Sequence, residues 1–221
     1  MSIVVIGGTK GGVGKTTLAT NLAVMRSRSK KEVLLVDADE QGSATDFTAV
    51  RNETLGDQGG AGYTSIKLHG SAVRSEVLRL APKHDDTVID VGGRDTAGQR
   101  AALSIADIYL IPVFPGSFDI WTLEPVAQLV EEARSFNEKI QAFCLLNKAD
   151  PKGSDNEEAA AIARETAGLI YLDCPIVNRK AFRNGAARGL AVVELKPSDS
   201  KAIEEIERLY KLVFDSKKKS K

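Results

Sequence analysis

An α/β fold, a mainly parallel sheet flanked by helices on both faces, is predicted for this 221-residue chain by three features of its sequence. Short apolar runs rich in Val, Ile and Leu alternate with segments of helical period, the order that builds a sheet covered on both sides. A glycine-rich turn joins the first such run to the first helix. Two later runs end in aspartate, at the strand ends where open α/β sheets hold ligands.

The elements follow in order. Ile3-Val4-Val5-Ile6 reads as a buried strand, and Leu18, Leu22 and Met25 give the next segment a helical stripe. The basic turn from Arg26 to Lys31 leads into a second strand, Val33-Leu34-Leu35-Val36. Residues 56–62 are glycine-rich without periodicity, which predicts a mobile surface loop. A short strand is expected over 63–68, a helix over 72–80, a core strand over 87–89 and a helix near 99–106. Residues 108–113 predict a strand, 120–136 a helix, 142–146 a strand and 155–167 a helix. The last strand falls within 170–177, and a short basic helix and a longer one over 198–214 complete the chain. No internal repeat or interdomain linker interrupts it, so residues 1–214 are expected to form one domain, with 215–221 a basic, flexible tail.

Composition narrows the function. The 30 Lys and Arg balance the 30 Asp and Glu, so any nucleic-acid contact must come from a local basic patch. The N-terminal apolar run is too short, and lacks the basic flank, for a signal peptide. No apolar stretch approaches the roughly 18–20 residues that span a bilayer, and a cytoplasmic protein is expected. Cys144 and Cys174 lie in apolar segments and read as packed, reduced thiols. The two histidines, His69 and His84, stand too far apart in sequence to suggest a metal site with them.

The segment from Gly7 to Thr17 carries the chemistry. A glycine-rich turn between strand and helix leaves backbone N–H groups to surround phosphate oxygens. Gly11, Gly12 and Gly14 allow the tight turn, with Val13 and Thr17 completing the cradle. Lys15 supplies charge for the terminal phosphates, and the Thr16 hydroxyl is a candidate Mg²⁺ ligand. Thr9 replaces the first glycine of the strict phosphate loop, and a second lysine, Lys10, opens the turn instead. These residues resemble the deviant Walker A motif, K-G-G-x-x-K-[ST], of the ParA/MinD family of P-loop ATPases. The resemblance implies that Lys10 reaches the nucleotide of a partner subunit in a sandwich dimer.

Two acidic clusters follow. Asp37-Ala38-Asp39-Glu40-Gln41-Gly42 resembles the family's D-x-D-P-Q-G segment, with Glu40 in place of proline. By that resemblance Asp39 orients the attacking water, and Asp37 lies near the Mg²⁺ shell and Lys15. Thr87-Val88-Ile89-Asp90 looks like a Walker B strand, and Asp90 would hold Mg²⁺ through a bound water. After it, Gly92 and Gly93 are positioned to bring backbone N–H groups to a γ-phosphate. Arg94 reads either as a charge stabiliser or dimer contact, or as a surface pair with Asp95. The segment Asn147-Lys148-Ala149-Asp150 reads as N-K-x-D, a guanine-recognition motif. The family resemblance instead implies ATP, with Asn147 on the base in either case. Pro175 to Arg179 resembles the family's I-P-R segment, with Asn178 in place of the proline.

The family reading covers residues 3 to about 214 and begins at the nucleotide strand, so no N-terminal helix-turn-helix is expected. It implies Mg-ATP hydrolysis, an ATP-bound homodimer that binds DNA non-specifically, a ParB-like or other adaptor, and nucleoid association. Segregation of plasmid or chromosomal DNA is the leading function, with a non-DNA cargo or MinD-like membrane cycling as alternatives. Arg179, Lys180, Arg183 and Arg188 are the candidate DNA contacts, since phosphate binding needs only clustered cations. Ile203, Ile206, Leu209, Tyr210, Val213 and Phe214 make an apolar stripe. The glutamates among them disfavour a membrane, and packing on the chain's own domain is expected.

Overall fold

The computed structural model describes residues 1–93, 96–116, 123–151 and 155–215. Its elements are β1 (Ile3–Ile6), α1 (Lys15–Arg28), β2 (Val33–Ala38), α2 (Ser43–Leu55), β3 (Thr64–Lys67), α3 (Ala72–Leu80), β4 (Asp86–Val91) and α4 (Ala97–Leu103). There follow β5 (Ile108–Val113), α5 (Leu123–Arg134), β6 (Gln141–Ala149), α6 (Asp155–Glu165), β7 (Ile170–Tyr171), β8 (Ile176–Val177), α7 (Lys180–Ala186) and α8 (Ser200–Phe214). The strands lie in the order β3-β2-β4-β1-β5-β6-β7, and β8 also pairs with β6. Every described pairing is parallel.

Strand alternation sends side chains to two separate layers. Val5, Val36, Ile89 and Ile111 face a core completed by α3, α4, α5 and α6. Val4, Ile6, Leu35 and Leu110 face the other, made with α1, α7 and α8. Helix α1 is buried almost continuously from Leu18 to Met25 because β4, α2 and α8 all pack on it. Each fully buried Leu or Ile there contributes roughly 1.5–3 kcal/mol of transfer free energy, enough to hold a helix that carries three threonines.

The order β4-β1-β5 places the ends of β1 and β4 side by side at the centre of the sheet. Register then fixes the acids: Val36 pairs with Ile89, and Asp37 with Asp90. Ligand crevices open at such crossover points, beyond the carboxyl ends of the strands.

Several elements depart from the pattern reading. Helix α2 was not expected; its buried positions are Ala44, Phe47, Thr48 and Arg51, a mixed set that hides the stripe. The 56–62 segment is fastened and not simply a surface loop. Ala61 is buried, its N–H donates to Asn52 Oδ1 at 2.7 Å, and its carbonyl accepts from Arg51 Nε at 2.9 Å. The expected last strand is two short ones, β7 beside Phe143 and β8 beside Asn147. Arg26 and Arg28 belong to the last turn of α1 and not to a turn. Burial pushes the Cys144 thiol up to about 12 and the Cys174 thiol to about 11, so both stay protonated.

Candidate active site

The phosphate loop runs from Gly7 into α1, whose N-cap, Gly14, is left-handed at φ 92°. A β-carbon at Gly14 would strike the Asn147 side-chain amide, so glycine is required there by conformation and by space. Asn147 is buried and donates through Nδ2 to the Val13 carbonyl at 2.6 Å. Its neighbour Lys148, itself at φ 57°, donates to the Gly12 carbonyl at 2.6 Å. The end of β6 therefore holds the loop from behind.

The two lysines of the loop differ in setting. Lys15 is buried, and its ammonium donates to the Lys10 carbonyl at 2.8 Å. Burial lowers its pKa, while the charges of Asp90 and Asp39 act in the opposite sense. Lys10 is exposed.

Asp90 is fully buried, and neither of its carboxylate oxygens has a hydrogen-bond partner. Burial raises its pKa to about 7; the Thr16 hydroxyl and Lys15 pull it down, and Asp37 and Asp39 push it up. An orphaned buried carboxylate costs several kcal/mol unless a cation or donor answers it. Among the described residues no three His, Cys, Asp or Glu side chains form a metal cage. A Mg²⁺ site needs only one or two protein groups, together with waters and phosphate, and the Thr16 hydroxyl and Asp90 are the groups at hand here.

Asp37 sits beside Asp90 but faces its own chain. Its Oδ2 accepts from the Thr45 N–H at 2.8 Å and the Thr45 hydroxyl at 2.7 Å, and its Oδ1 from the Asp39 N–H at 3.2 Å. It thus caps the first turn of α2, a use that the strand pattern did not reveal. Asp39 is half-buried, with Oδ1 accepting from the Gln41 N–H at 3.1 Å. Gly92 lies against it: a β-carbon there would be 3.4 Å from Asp39 Oδ1. Gly93 is pressed on the phosphate loop, where a β-carbon would come within 2.6–2.8 Å of the Lys10–Gly11 backbone. Arg94 and Asp95 lie outside the described residues.

These loops enclose a cleft of about 960 Å³ that includes Lys15, Thr16, Asp39, Gly92 and Lys148, and His69 at its far wall. Sequence reading missed Lys67, which reaches over the acidic turn to the Glu40 carbonyl at 3.4 Å. It also missed Gln99, which donates to the Tyr109 hydroxyl at 2.8 Å beneath Gly7. Both act across strands, and no local pattern marks them.

Residues 4–192 match the CobQ/CobB/MinD/ParA nucleotide binding domain. The chain belongs to that family. It is 31% identical over 209 residues to the maintenance of carboxysome distribution protein A of Halothiobacillus neapolitanus, covering 94% of each chain. It is 24% identical over 188 residues to a ParA protein of Rhizobium radiobacter, covering 82% of this chain and 81% of that one. Among solved structures, apo McdA from Cyanothece superposes with a TM-score of 0.77 at 21% identity, covering 94% and 98% of the two chains. MinD from Aquifex aeolicus gives 0.70 at 22% identity, covering 95% and 96%. The chain thus has the ParA/MinD P-loop ATPase fold and a nucleotide-binding domain.

The four candidate DNA contacts separate within this family fold. Arg179 is bound bidentately to Glu205, with Nη2 at 2.6 Å and Nε at 3.0 Å from Oε1, and only a fifth of its side chain is exposed. Lys180, Arg183 and Arg188 are exposed. The stripe of α8 is buried on the chain's own core through Ala202, Ile206, Leu209, Val213 and Phe214. Among the described residues no helix is long and apolar enough to cross a membrane. The basic tail from residue 216 lies outside the described residues.

Proposed function

We propose that the chain is a Mg-ATP hydrolase that positions a cargo, dimerising with ATP and using duplex DNA as its track. The observation that carries this is the unequal setting of the two loop lysines. Lys15 is buried toward its own site, and Lys10 is exposed where a second copy can meet it. Orphaned Asp90 beside Thr16 and Lys15 fits a hydrated Mg²⁺, which when bound neutralises the β- and γ-phosphate charge. An ATP complex of a Cyanothece McdA variant, with a TM-score of 0.77, supports ATP as the nucleotide.

The chain's own groups divide the work. The backbone N–H groups of residues 11–17 and the start of α1 bind the phosphates. Lys15 answers their charge, Thr16 and Asp90 orient the metal's waters, and Asp39 orients the attacking water. Asn147 holds the loop and stands at the base end of the site. Gly92 and Gly93, packed on Asp39 and the loop, are the segment that responds to a γ-phosphate.

A carboxysome or similar body is the cargo that the carboxysome-distribution relatives support, since they match 94% and 88% of the chain. A plasmid or chromosome is the second reading, supported by the fold shared with a plasmid partition protein of Borrelia burgdorferi, at a TM-score of 0.69, and by a short match to a chromosome-partitioning ATPase of Thermus thermophilus. An adaptor on the cargo would stimulate hydrolysis and release, and Lys180, Arg183 and Arg188 would contact DNA phosphates near the nucleoid.

Sedimentation with ADP and with ATP tests the assignment. Lys10→Ala should bind nucleotide but fail to dimerise with ATP, while Asp39→Ala should dimerise with ATP and hydrolyse it slowly. Normal ATP-dependent dimers in the Lys10 variant would refute the outer-lysine reading. ATP-promoted binding to anionic liposomes, with DNA affinity unchanged by nucleotide, would favour membrane cycling instead.

A further inference from the structure

Helix α2 joins the acidic turn of the site to the basic segment, and it is fixed rigidly at both ends. At its start the Gly42 N–H donates to the Asp39 carbonyl at 3.1 Å, and Asp37 caps Thr45. Any shift of the Asp39 turn is therefore passed to the first turn of α2. The helix has 13 residues, and its ninth, Arg51, about 12 Å along the axis from Ser43, lies in a buried cluster.

The Arg51 guanidinium is 5% exposed. It donates to Glu194 through Nη1 at 2.7 Å and Nη2 at 2.9 Å, to the Gly189 carbonyl at 2.9 Å and to the Ala61 carbonyl at 2.9 Å. Glu194 Oε2 also accepts from the Ala191 N–H at 3.0 Å. One residue turn later Thr54 donates to the Arg188 carbonyl at 3.0 Å. Gly189 lies so close that a β-carbon there would collide with the Arg51 backbone. The far end of α2 is thus bolted to the turn that carries Arg188 and follows Arg183 on α7.

Between its ends α2 is packed on the core: Phe47 is buried with Val24 and Ala191, and the Thr48 hydroxyl lies 3.0 Å from the Tyr63 hydroxyl. Asp46, Phe47 and Val50 of α2 line the cleft, as do Ala186 and Ala187 at the end of α7. A helix tied at both ends and packed along one face moves as a rigid piece and not by bending. A buried ion pair is a poor source of net stability but a strict setter of geometry.

We propose that α2 is a strut that transmits the state of the Asp39 turn, through the buried Arg51–Glu194 clasp, to the basic face at residues 183–188, making affinity for duplex phosphates depend on the nucleotide. This rests on the DNA-track reading above and adds its regulation.

The test uses the full chain and a double substitution, Arg51→Met/Glu194→Leu, which removes the clasp without leaving a buried charge unpaired. Arg51→Leu/Glu194→Gln, which is also neutral and keeps an acceptor for the Ala191 N–H, serves as a second variant should the first fold poorly. Two quantities are read with ADP and with ATPγS: affinity for a duplex of unrelated sequence, and amide hydrogen exchange over residues 183–191. ATP turnover without DNA is measured alongside. Wild type should bind DNA about tenfold or more tightly with ATPγS, in the range of ordinary allosteric couplings, and exchange at 183–191 should change with nucleotide. The folded variants should keep basal turnover, lose most of the nucleotide dependence of DNA affinity, and show the same exchange with either nucleotide. A folded variant that keeps both responses overturns the strut, as does a wild type whose exchange at 183–191 ignores the nucleotide. A wild type whose exchange responds, but which binds no DNA, supports the strut and overturns the DNA-track reading alone.

Discussion

Asn147→Ala separates a role in shaping the phosphate loop from a role in contacting the base. The substitution removes the amide that donates to the Val13 carbonyl at 2.6 Å, with both residues buried. A buried carbonyl left without a donor costs about 1–3 kcal/mol. If that energy holds the loop ready, the competent fraction falls by the same factor, and nucleotide affinity drops about 5- to 150-fold. Turnover at saturating ATP should change little, because Lys15, Thr16 and Asp39 are untouched and bound phosphate restores the loop. Calorimetric titration with ATP and with tripolyphosphate, which has no base, reads the difference. Loop shaping predicts similar losses for both; a base contact predicts a loss for ATP alone. Lys148→Met removes the less buried bond to Gly12 and should cost at most about 1 kcal/mol, about fivefold in affinity. Unchanged tripolyphosphate affinity in Asn147→Ala would refute the loop-shaping argument.

Three further outcomes are expected. Charge reversal at Arg183 and Arg188 should weaken DNA binding and flatten its salt dependence, because fewer counterions are displaced. Arg179→Ala should chiefly lower the melting temperature, since its partner is Glu205; a DNA effect as large as that at Arg183 would count against this division. Glu194 supplies the pH test. Burial raises its pKa, but the bonds from Arg51 and the Ala191 N–H outweigh it and leave a net lowering. Its folded pKa lies below the unfolded one, so its stabilisation is present above the ordinary value of 4.5 and lost as pH falls through the folded pKa. Relative to Arg51→Met/Glu194→Leu, wild type should lose stability on acidification through that range. Parallel pH profiles from chemical denaturation would contradict it.

The sequence alone determined what depends on neighbours along the chain. Most of the strand and helix order, the phosphate loop and the placement of Asp90 at a strand end are set by periodicity, glycine spacing and residues within one turn of each other. The 72–80 helix and the 108–113 strand were legible to the residue. What only the tertiary structure decided depends on contacts between distant segments. Asp37 and Asp39 look alike in sequence, yet the fold turns Asp37 to α2 and leaves Asp39 in the cleft. Arg179 reads as one of four clustered cations until Glu205, on a helix 26 residues away, takes it up. Helix α2 has no clean apolar stripe because its buried face includes Arg51, and that arginine is tolerated only because Glu194, 143 residues downstream, meets it. Local periodicity records which face of an element is apolar; it holds no record of which polar group a buried charge will find across the fold.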